Sequence, residues 1–343
     1  MLSRSETDLV TTYSVCAPRV AGVRSRLLTV DEITFLEAST SFRDLLRRLQ
    51  STRYGEYIRR EEPSNCSELA FALRTPLVMT YKSFRRIVPS YALPVLDRYM
   101  ESHIARNVRL YFKYTYTSDE SALRHIDARI EAIQGHTELL GVYLSRGSRR
   151  DLVEALQRTG LSDYSALLRT LEPLLEKRRG PLALVDIAVE ALSLSRLLYR
   201  AGRLPADERT RLESLLGVEA IRFVVLTMAR ATRLGLDMGQ VSTLIPEPVG
   251  AMLLLYSEKP PALCRKLQVP LVLCRPESPM ELASRLHSYA WKVAWRTSLW
   301  NQFSLAGVLA ALKLLELEVQ KLNSICIRAV AREYGYNLAS SLG

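Results

Sequence analysis

The apolar positions of the chain recur at intervals of three and four residues, which is the spacing of one face of an α-helix. This pattern covers residues 29–38, 64–82, 119–144, 182–201 and 282–317. Alternating apolar and polar positions between hairpin turns, the pattern typical of β-strands, do not recur along the chain. The sequence therefore predicts an all-α protein.

One short helical segment occurs three times. "SFRDLLRRLQST" (41–52) and "SRRDLVEALQRT" (148–159) agree at seven of twelve positions, and a fainter copy, "LCRKLQ", ends at Gln268. The first two copies begin with a serine three residues before an aspartate, which is the spacing of a helix N-cap. The third follows Pro260 and Pro261, which suit a first helical turn. Each copy is predicted to be a short amphipathic helix followed by a bend.

A longer helix follows each copy of the short segment. Because the same order of a short helix and then a long helix occurs three times, three pseudo-repeats are the simplest architecture. Each repeat is large enough to hold a small core, so we expect three lobes around a pseudo-threefold axis rather than a stacked solenoid. The long helices are predicted at 103–114, 220–231 and 318–329, and the repeats at 1–115, 116–235 and 236–343.

The sequence contains no arrangement of residues that predicts catalysis. Phosphate-binding loops, dinucleotide-binding glycine patterns and nucleophile elbows do not occur, and the four histidines fit no metal-ligand spacing. Neighbouring carboxylates stand next to turn signals, where such residues cap helices. Glu316 and Glu318, on the last long helix, are expected to meet Arg or Lys rather than to handle protons. We therefore predict no catalytic residue, no metal and no cofactor.

The five cysteines form no CxxC pattern, and their odd number argues against a disulfide framework. We expect them to be small buried side chains with free thiols. Cys264 and Cys274 could pair if the fold brings them together, but their spacing does not decide this.

The net charge of +11 raises the question of nucleic-acid binding. The balance is +6 over residues 1–115, zero over 116–217 and +5 over 218–343, so the cations form no single patch. Nucleic-acid binders usually concentrate their cations, and this function is therefore only the alternative.

No apolar run reaches the roughly 18 residues of a transmembrane helix, and the polar N-terminus fits no signal peptide. We expect a soluble, intracellular chain.

Three blocks of the sequence resemble one known family. They are "YSVCAPRVAGVRSRLLTVDEITFLEASTSFRDLLRRLQSTRYGEYI", "LLGVEAIRFVVLTMARATRLGLDMGQVSTLIPEP" and "FSLAGVLAALKLLELEVQKLNSICIRAVAREYGY", in that order. They resemble the opening, the middle and the C-terminal helix of the C subunit of A-type and V-type rotary ATPases, called subunit d in the eukaryotic enzyme. The resemblance spans nearly the whole chain.

The resemblance implies an all-helical, funnel-like protein of three similar lobes. Such a protein lies on the cytoplasmic face of the membrane, on the proteolipid (c) ring, and holds the foot of the central shaft in its socket. It hydrolyses nothing, and it couples the ring to the shaft for ATP synthesis or for ATP-driven transport of protons or sodium ions. We expect this chain to be such a peripheral membrane protein, in an archaeal or bacterial plasma membrane.

Polar residues at the starts of the three long helices are the candidates for contact with the shaft or the ring. Their shared position on equivalent helices motivates this choice, and ordinary ion pairs between the helices of one lobe are the alternative. Tyr54 and Tyr57 directly follow the first short helix, so we expect both to pack inside their lobe. The contact candidates are Arg106, Asn107, Arg109, Glu219, Arg222, Glu318 and Lys321.

Overall fold

A computed structural model of the chain describes residues 4–176, 182–236, 238–274 and 279–335. All regular secondary structure in these ranges is helical, which confirms the predicted all-α class. The pseudo-threefold arrangement of lobes and the boundaries of the three repeats stay predictions.

The bounds of the helices follow the predicted pattern in most of the chain. The α-helices are α1 (Arg4–Thr12), α2 (Cys16–Ser25), α3 (Val30–Glu37), α4 (Phe42–Leu49), α5 (Gly55–Glu61), α6 (Cys66–Arg85), α7 (Leu93–Thr117), α8 (Arg129–Gln134), α9 (Thr137–Ser145), α10 (Arg149–Arg158), α11 (Ser162–Glu176), α12 (Ala183–Ala201), α13 (Ala206–Leu234), α14 (Met238–Thr243), α15 (Val249–Glu258), α16 (Pro260–Lys266), α17 (Pro279–Trp300) and α18 (Leu305–Glu333). Two short 3-10 helices lie at Glu120–His125 and Leu271–Cys274.

The predicted starts of the three short helices are confirmed. The Ser41 hydroxyl accepts a hydrogen bond from the backbone N–H of Asp44 at 3.1 Å, at the start of α4. The Ser148 hydroxyl accepts one from Asp151 at 3.3 Å, and the Asp151 carboxylate accepts one from the Ser148 N–H at 2.6 Å. The third short helix, α16, begins at Pro260. Each cap satisfies a backbone donor that the first helical turn leaves unpaired.

The continuous helical patterns predicted at 119–144 and 282–317 are wrong, because each is broken by a turn. The first is divided into a 3-10 helix, α8 and α9, with extended backbone at Ile126 and a left-handed Gly135 between α8 and α9. The second is divided between α17 and α18, where Ser304 caps α18. The chain returns so tightly there that a Cβ atom on Gly307 would lie 2.3 Å from the Asn301 carbonyl oxygen.

Six helices form a closed cycle of contacts, which we call the helix collar. α6 packs against α18, α18 against α17, α17 against α13, α13 against α12, α12 against α7, and α7 against α6. α7, α13 and α18 contain 25, 29 and 29 residues and are the longest helices in the described ranges. α7 packs against α12, which precedes α13, and α13 packs against α17, which precedes α18. α18 packs against α6, which precedes α7. The last of the described helices therefore closes the collar against the first part of the chain.

The first half of α18 lies at the centre of the packed interior. All residues from Leu305 to Leu315 are buried, although the segment includes one cation, Lys313. A helix that is apolar on every face is stable only when neighbours surround it. The second half of α18 packs against the N-terminal helices, where Val319, Leu322 and Ile325 share a core cluster with residues of α4, α5 and α6. The core therefore crosses the predicted boundaries between repeats.

A disulfide bond between Cys66 and Cys326 corrects the expectation of free thiols. It joins the start of α6 to α18 across 260 positions of sequence, so it links the two helices that close the collar. Cys16 is a free, buried cysteine, as expected. Sequence reasoning missed the bond because cysteines so far apart are paired only by the fold. Cys264 is also disulfide-bonded, so the expectation of a free thiol is wrong there too. The side chain of Cys274 lies outside the described residues, so the pairing of Cys264 with Cys274 stays an open possibility.

Removal of the Cys66–Cys326 bond should destabilise the protein by about 2 to 5 kcal/mol, because the unfolded chain regains the freedom of a long loop. We expect Cys66→Ser and Cys326→Ser to lower Tm by similar amounts in thermal denaturation. The double variant should cost little more than either single change, since each single change already breaks the bond. Additive losses would contradict the pairing, and Cys16→Ser is the control that should leave the disulfide-linked peptide intact in non-reducing mass spectrometry.

Candidate partner-binding cavity

A cavity of about 360 Å³ lies among the collar helices. Its walls come from α6, α7, α12, α13 and α18, which are five of the six helices of the collar. A sphere of that volume is roughly 9 Å across, which is much narrower than two packed α-helices of about 10 to 12 Å each. The cavity therefore has room for several side chains at the tip of a partner, but not for a pair of helices.

The lining of the cavity is strongly charged. Five arginines and three glutamates contribute to it, so positive charge exceeds negative charge by two. Neutral polar groups, including the exposed Ser102, are interspersed with them. The charged lining residues are Arg74, Arg98, Arg106, Arg109, Arg222, Glu190, Glu219 and Glu316.

Two of the arginines pair with carboxylates of neighbouring collar helices or of their own helix. Arg109 on α7 lies 3.7 Å from Asp186 and 3.6 Å from Glu190, both on α12. Arg222 on α13 lies 4.0 Å from Glu219, one helical turn earlier. These pairs hold the charged side chains against the wall and connect α7 with α12.

Two further arginines pair with carboxylates behind the wall. Arg74 lies 3.7 Å from Asp127, and Arg98 forms a close ion pair with Glu101. Arg106 differs from the other four arginines. Within the part of the chain that the structure describes, Arg106 forms no hydrogen bond and no ion pair within 4.0 Å.

A buried lysine forms ion pairs with two of the glutamates in the lining. Lys313 is completely buried, and its Nζ lies 2.7 Å from Glu219 Oε1 and 3.1 Å from Glu316 Oε2. Burial opposes ionisation of Glu316, but the charges of Lys313 and Arg222 hold the pKa of Glu316 below its ordinary value. Glu316 is therefore ionised at neutral pH, and Lys313 is compensated by two carboxylates.

His103 also lines the cavity, but it adds no charge at neutral pH. The pKa of His103 is lowered to about 4, chiefly by burial and also by the charges of Arg74 and Arg106. The charge of Glu316 acts in the opposite direction. The imidazole is therefore neutral near pH 7, and the excess of positive charge in the lining comes from arginines alone.

A sequence model of the family described as "ATP synthase (C/AC39) subunit" matches residues 17–336. The chain belongs to this family. The match includes every helix that lines the cavity. A search of the curated proteins returned no match. Of the helices described for this C/AC39 member, none combines the length and the apolar character needed to cross a membrane.

Two glycines in the blocks that resemble the C/AC39 family stand where backbones approach closely. A Cβ atom on Gly55 would lie 2.2 Å from the Gln50 carbonyl oxygen, in the turn between α4 and α5. A Cβ atom on Gly217 would lie 2.7 Å from the Leu267 carbonyl oxygen, where α13 crosses the end of α16. Both contacts require glycine because no larger residue fits between the two backbones.

Four of the seven predicted contact residues of this C/AC39 chain line the cavity. Arg106 and Arg109 extend from α7, and Glu219 and Arg222 extend from α13. Each pair is separated by three positions, which places its two members on one face of a helix. The structure therefore brings together predicted residues of the first two long helices.

The other three predicted residues do not line the cavity. Asn107 is buried and donates to the Asp127 carbonyl oxygen and to Glu131, both at 2.8 Å. Glu318 is buried on the far side of α18, and Lys321 pairs with Glu37 of α3. Glu318 and Lys321 therefore form ion pairs with residues of the first predicted repeat rather than within their own, and Asn107 is held by hydrogen bonds. Their role in partner contact stays untested.

Glu318 ties α18 to two N-terminal segments of the chain, around Leu28 and around Tyr54. Its carboxylate accepts hydrogen bonds from the Tyr54 hydroxyl at 2.7 Å and from the Leu28 backbone N–H at 2.8 Å, and it also pairs with Arg53. Tyr54 is completely buried, and Tyr57 packs against the same core cluster, as expected. Glu316 meets Lys313, so the expectation that both glutamates meet cations is confirmed.

Several cavity residues were missed by sequence reasoning. On α7, Arg98 and Ser102 precede Arg106 and Arg109 at helical spacing, so a search for polar stripes could have found them. On α18, the polar residues that line the cavity are Glu316, Gln320 and Asn323. The predicted residue Glu318 lies two positions after Glu316. Alignment of the three long helices selected Glu318 and Lys321, which do not line the cavity. Arg74 and Glu190 carried no signal in the sequence, because only the packing of the collar brings α6 and α12 to the cavity.

Glu318→Ala should destabilise the fold by roughly 3 kcal/mol, because it leaves the Tyr54 hydroxyl buried without an acceptor and Arg53 without its carboxylate. Urea denaturation measures the free energy of unfolding directly. Glu56→Ala, at an exposed position in the same part of the chain, is the matched control and should change stability by less than about 0.5 kcal/mol. Equal stability of the two variants would show that Glu318 does not tie α18 to these N-terminal segments.

Glu131→Gln should stabilise the protein at alkaline pH. Burial raises the pKa of Glu131 from 4.5 to about 7, against the hydrogen bond from Asn107. Between pH 4.5 and about pH 7 the carboxyl group of Glu131 is ionised in the unfolded chain but still protonated in the folded chain. The free energy of unfolding therefore falls as the pH rises through this range. Gln keeps the shape and the acceptor without the charge.

We expect the free energy of unfolding of Glu131→Gln to exceed that of the wild type by up to about 3 kcal/mol at pH 8. At pH 4.5 the two proteins should be nearly equal, because the carboxyl group is then largely neutral in the folded state. The exposed Glu213→Gln is the control. A difference between variant and wild type that does not change with pH would contradict titration of Glu131.

Proposed function

We propose that this chain is the non-catalytic central-stalk adaptor of an A/V-type rotary ATP synthase or ATPase. It joins the proteolipid (c) ring to the central shaft, so that rotation passes between them during ATP-linked transport of protons or sodium ions. The family match over residues 17–336 carries the proposal. On this proposal the chain lies at the cytoplasmic face of an archaeal or bacterial plasma membrane and is attached through the proteolipid ring.

The closed helix collar supports a mechanical role. An adaptor that transmits torque must resist deformation, and closely packed protein interiors have low compressibility. The collar closes through the packing of α18 on α6, and the Cys66–Cys326 bond adds a covalent link at this position. A closed set of helices has no free end at which it can open under load.

The cavity supports a contact with the tip of the shaft. It opens among the long helices, and its size suits protruding side chains better than an intact coiled coil. A permanent coupling also requires a large interface, on the order of 2,000 Å² or more in total. The cavity is therefore proposed as the centre of a larger contact surface around its rim.

The chemistry of the cavity supports binding rather than catalysis. Its three glutamates all pair with cations of the chain, and His103 is neutral. Within the four described ranges, no group of three His, Cys, Asp or Glu side chains could hold a metal ion. The nucleic-acid alternative has no support in the family match, and many arginines form ion pairs within the chain, including Arg48, Arg85 and Arg129.

Co-purification with the proteolipid ring and the axle subunits of the same complex tests the proposal. We expect the tagged wild-type chain to retain both partners at physiological salt. Ser102→Trp should fill the cavity and reduce axle binding at least tenfold, while ring binding stays unchanged. In reconstituted vesicles this variant should continue to hydrolyse ATP but should lose most of its ATP-driven ion transport.

Thr170→Trp provides the matched control, because Thr170 is an exposed residue on α11, which is not part of the collar. It adds the same side chain and should leave both interactions and ion transport unchanged. If the wild-type chain retains neither the ring nor the axle, the adaptor function is wrong. If Ser102→Trp binds the axle normally, the cavity is not the shaft contact.

A further inference from the structure

Arg106 is the only arginine of the cavity without a carboxylate partner in the described parts of the chain. Arg74, Arg98, Arg109 and Arg222 each lie within 4.0 Å of an acidic side chain. The cavity therefore contains one uncompensated guanidinium among groups that are otherwise neutralised.

The surroundings of Arg106 make its charge costly. The pKa of Arg106 is lowered to about 10, chiefly by burial and also by the neighbouring cations Arg74 and Arg109. Asp127 acts in the opposite direction. Arg106 is still charged at neutral pH. A charged group held near like charges without a counterion destabilises the fold, unless an anion from outside the chain approaches it.

We propose that the cavity binds a carboxylate at the tip of the shaft and that Arg106 is the residue that receives it. This inference rests on the proposed function and specifies the chemistry of the same contact. A guanidinium group presents two parallel N–H donors that match the two oxygens of a carboxylate. The occupant is therefore an acidic side chain, or a chain terminus, of the axle protein.

A carboxylate of a protein fits the cavity better than a free multivalent anion. Glu219 and Glu316 belong to the lining and repel a dianion more strongly than a single negative charge. The volume of about 360 Å³ exceeds what one small anion fills, and Ser102, Gln320 and Asn323 offer neutral polar contacts around the charge. The single guanidinium without a carboxylate partner, Arg106, matches one carboxylate.

The test compares Arg106→Gln with wild type in calorimetric binding of purified axle subunits to the isolated chain. We expect Arg106→Gln to weaken the affinity roughly 30-fold or more, as for the loss of one partner of a desolvated charge pair. Arg169→Gln removes an exposed arginine of α11 and is the matched control, with an expected change below about twofold. Arg106→Gln alone should keep or raise the Tm of the free chain, which a purely structural arginine would not do.

Reversal of the charges identifies the partner group. Arg106→Glu should abolish axle binding, and an arginine at one acidic position of the axle tip should restore binding to that variant only. A second arm measures the Tm of the wild type in inorganic phosphate against chloride at equal ionic strength. If phosphate stabilises the wild type through Arg106 while the axle binds Arg106→Gln normally, the cavity is a site for a free anion and the inference is wrong.

The two proposals fail in different ways. If the wild-type chain does not bind the axle, the adaptor function itself is overturned. If the wild-type chain and Arg106→Gln bind the axle with equal affinity, the adaptor function stands and the carboxylate contact is overturned. A fall in Tm for Arg106→Gln, with unchanged axle affinity, would make Arg106 a structural residue and would also overturn the contact.

Discussion

The packing of α18 against the first part of the chain is the contact on which the rest of the structure depends. The Cys66–Cys326 bond, the hydrogen bonds of Glu318 and the ion pair of Lys321 all join α18 to helices near the N-terminus. Without this contact the six helices would form an open row rather than a closed collar. The cavity requires closure, because its walls come from five helices that are distant in sequence.

The two faces of α18 explain how one helix serves both stability and binding. Glu318 faces the N-terminal part of the chain, where it accepts hydrogen bonds from the Leu28 backbone N–H and the Tyr54 hydroxyl. Glu316 and Gln320 face the cavity, and Lys313 lies between the packed interior and the lining. A shift of two residues turns a side chain on an α-helix through about 200°. Neighbouring glutamates on one helix therefore have unrelated surroundings and unrelated roles.

Charge compensation separates the structural residues from the candidate binding residue. Buried charges in this protein are generally paired, since an unpaired buried charge destabilises a fold. Lys313 shows the rule, with two carboxylates around a fully buried ammonium group. Arg106 is only half-buried, but it is a cavity arginine for which the described residues supply no carboxylate partner, and departures from a consistent design are expected at sites that serve function rather than stability. The same reasoning assigns Asn107, one position away, to the fold, because its amide is fully hydrogen-bonded.

The sequence by itself determined the helical class, the caps of the short helices and the order of short and long helices. These features depend on local patterns, such as Ser148 with Asp151 or the apolar spacing along α12, which neighbouring residues define. The resemblance of three ordered blocks indicated the family, which the match over residues 17–336 established. The turn before Ser304 was missed because apolar periodicity continues on both sides of it.

Only the tertiary structure decided which polar residues meet. It placed Arg106, Arg109, Glu219 and Arg222 in one cavity, added Arg74 and Glu190 from other helices, and turned Glu318 away. It also paired Cys66 with Cys326 across 260 positions. The physical reason is that a sequence fixes the face of each helix only relative to its own axis. The orientation of that face toward a cavity or a neighbouring lobe is set by long-range packing, which no local pattern contains.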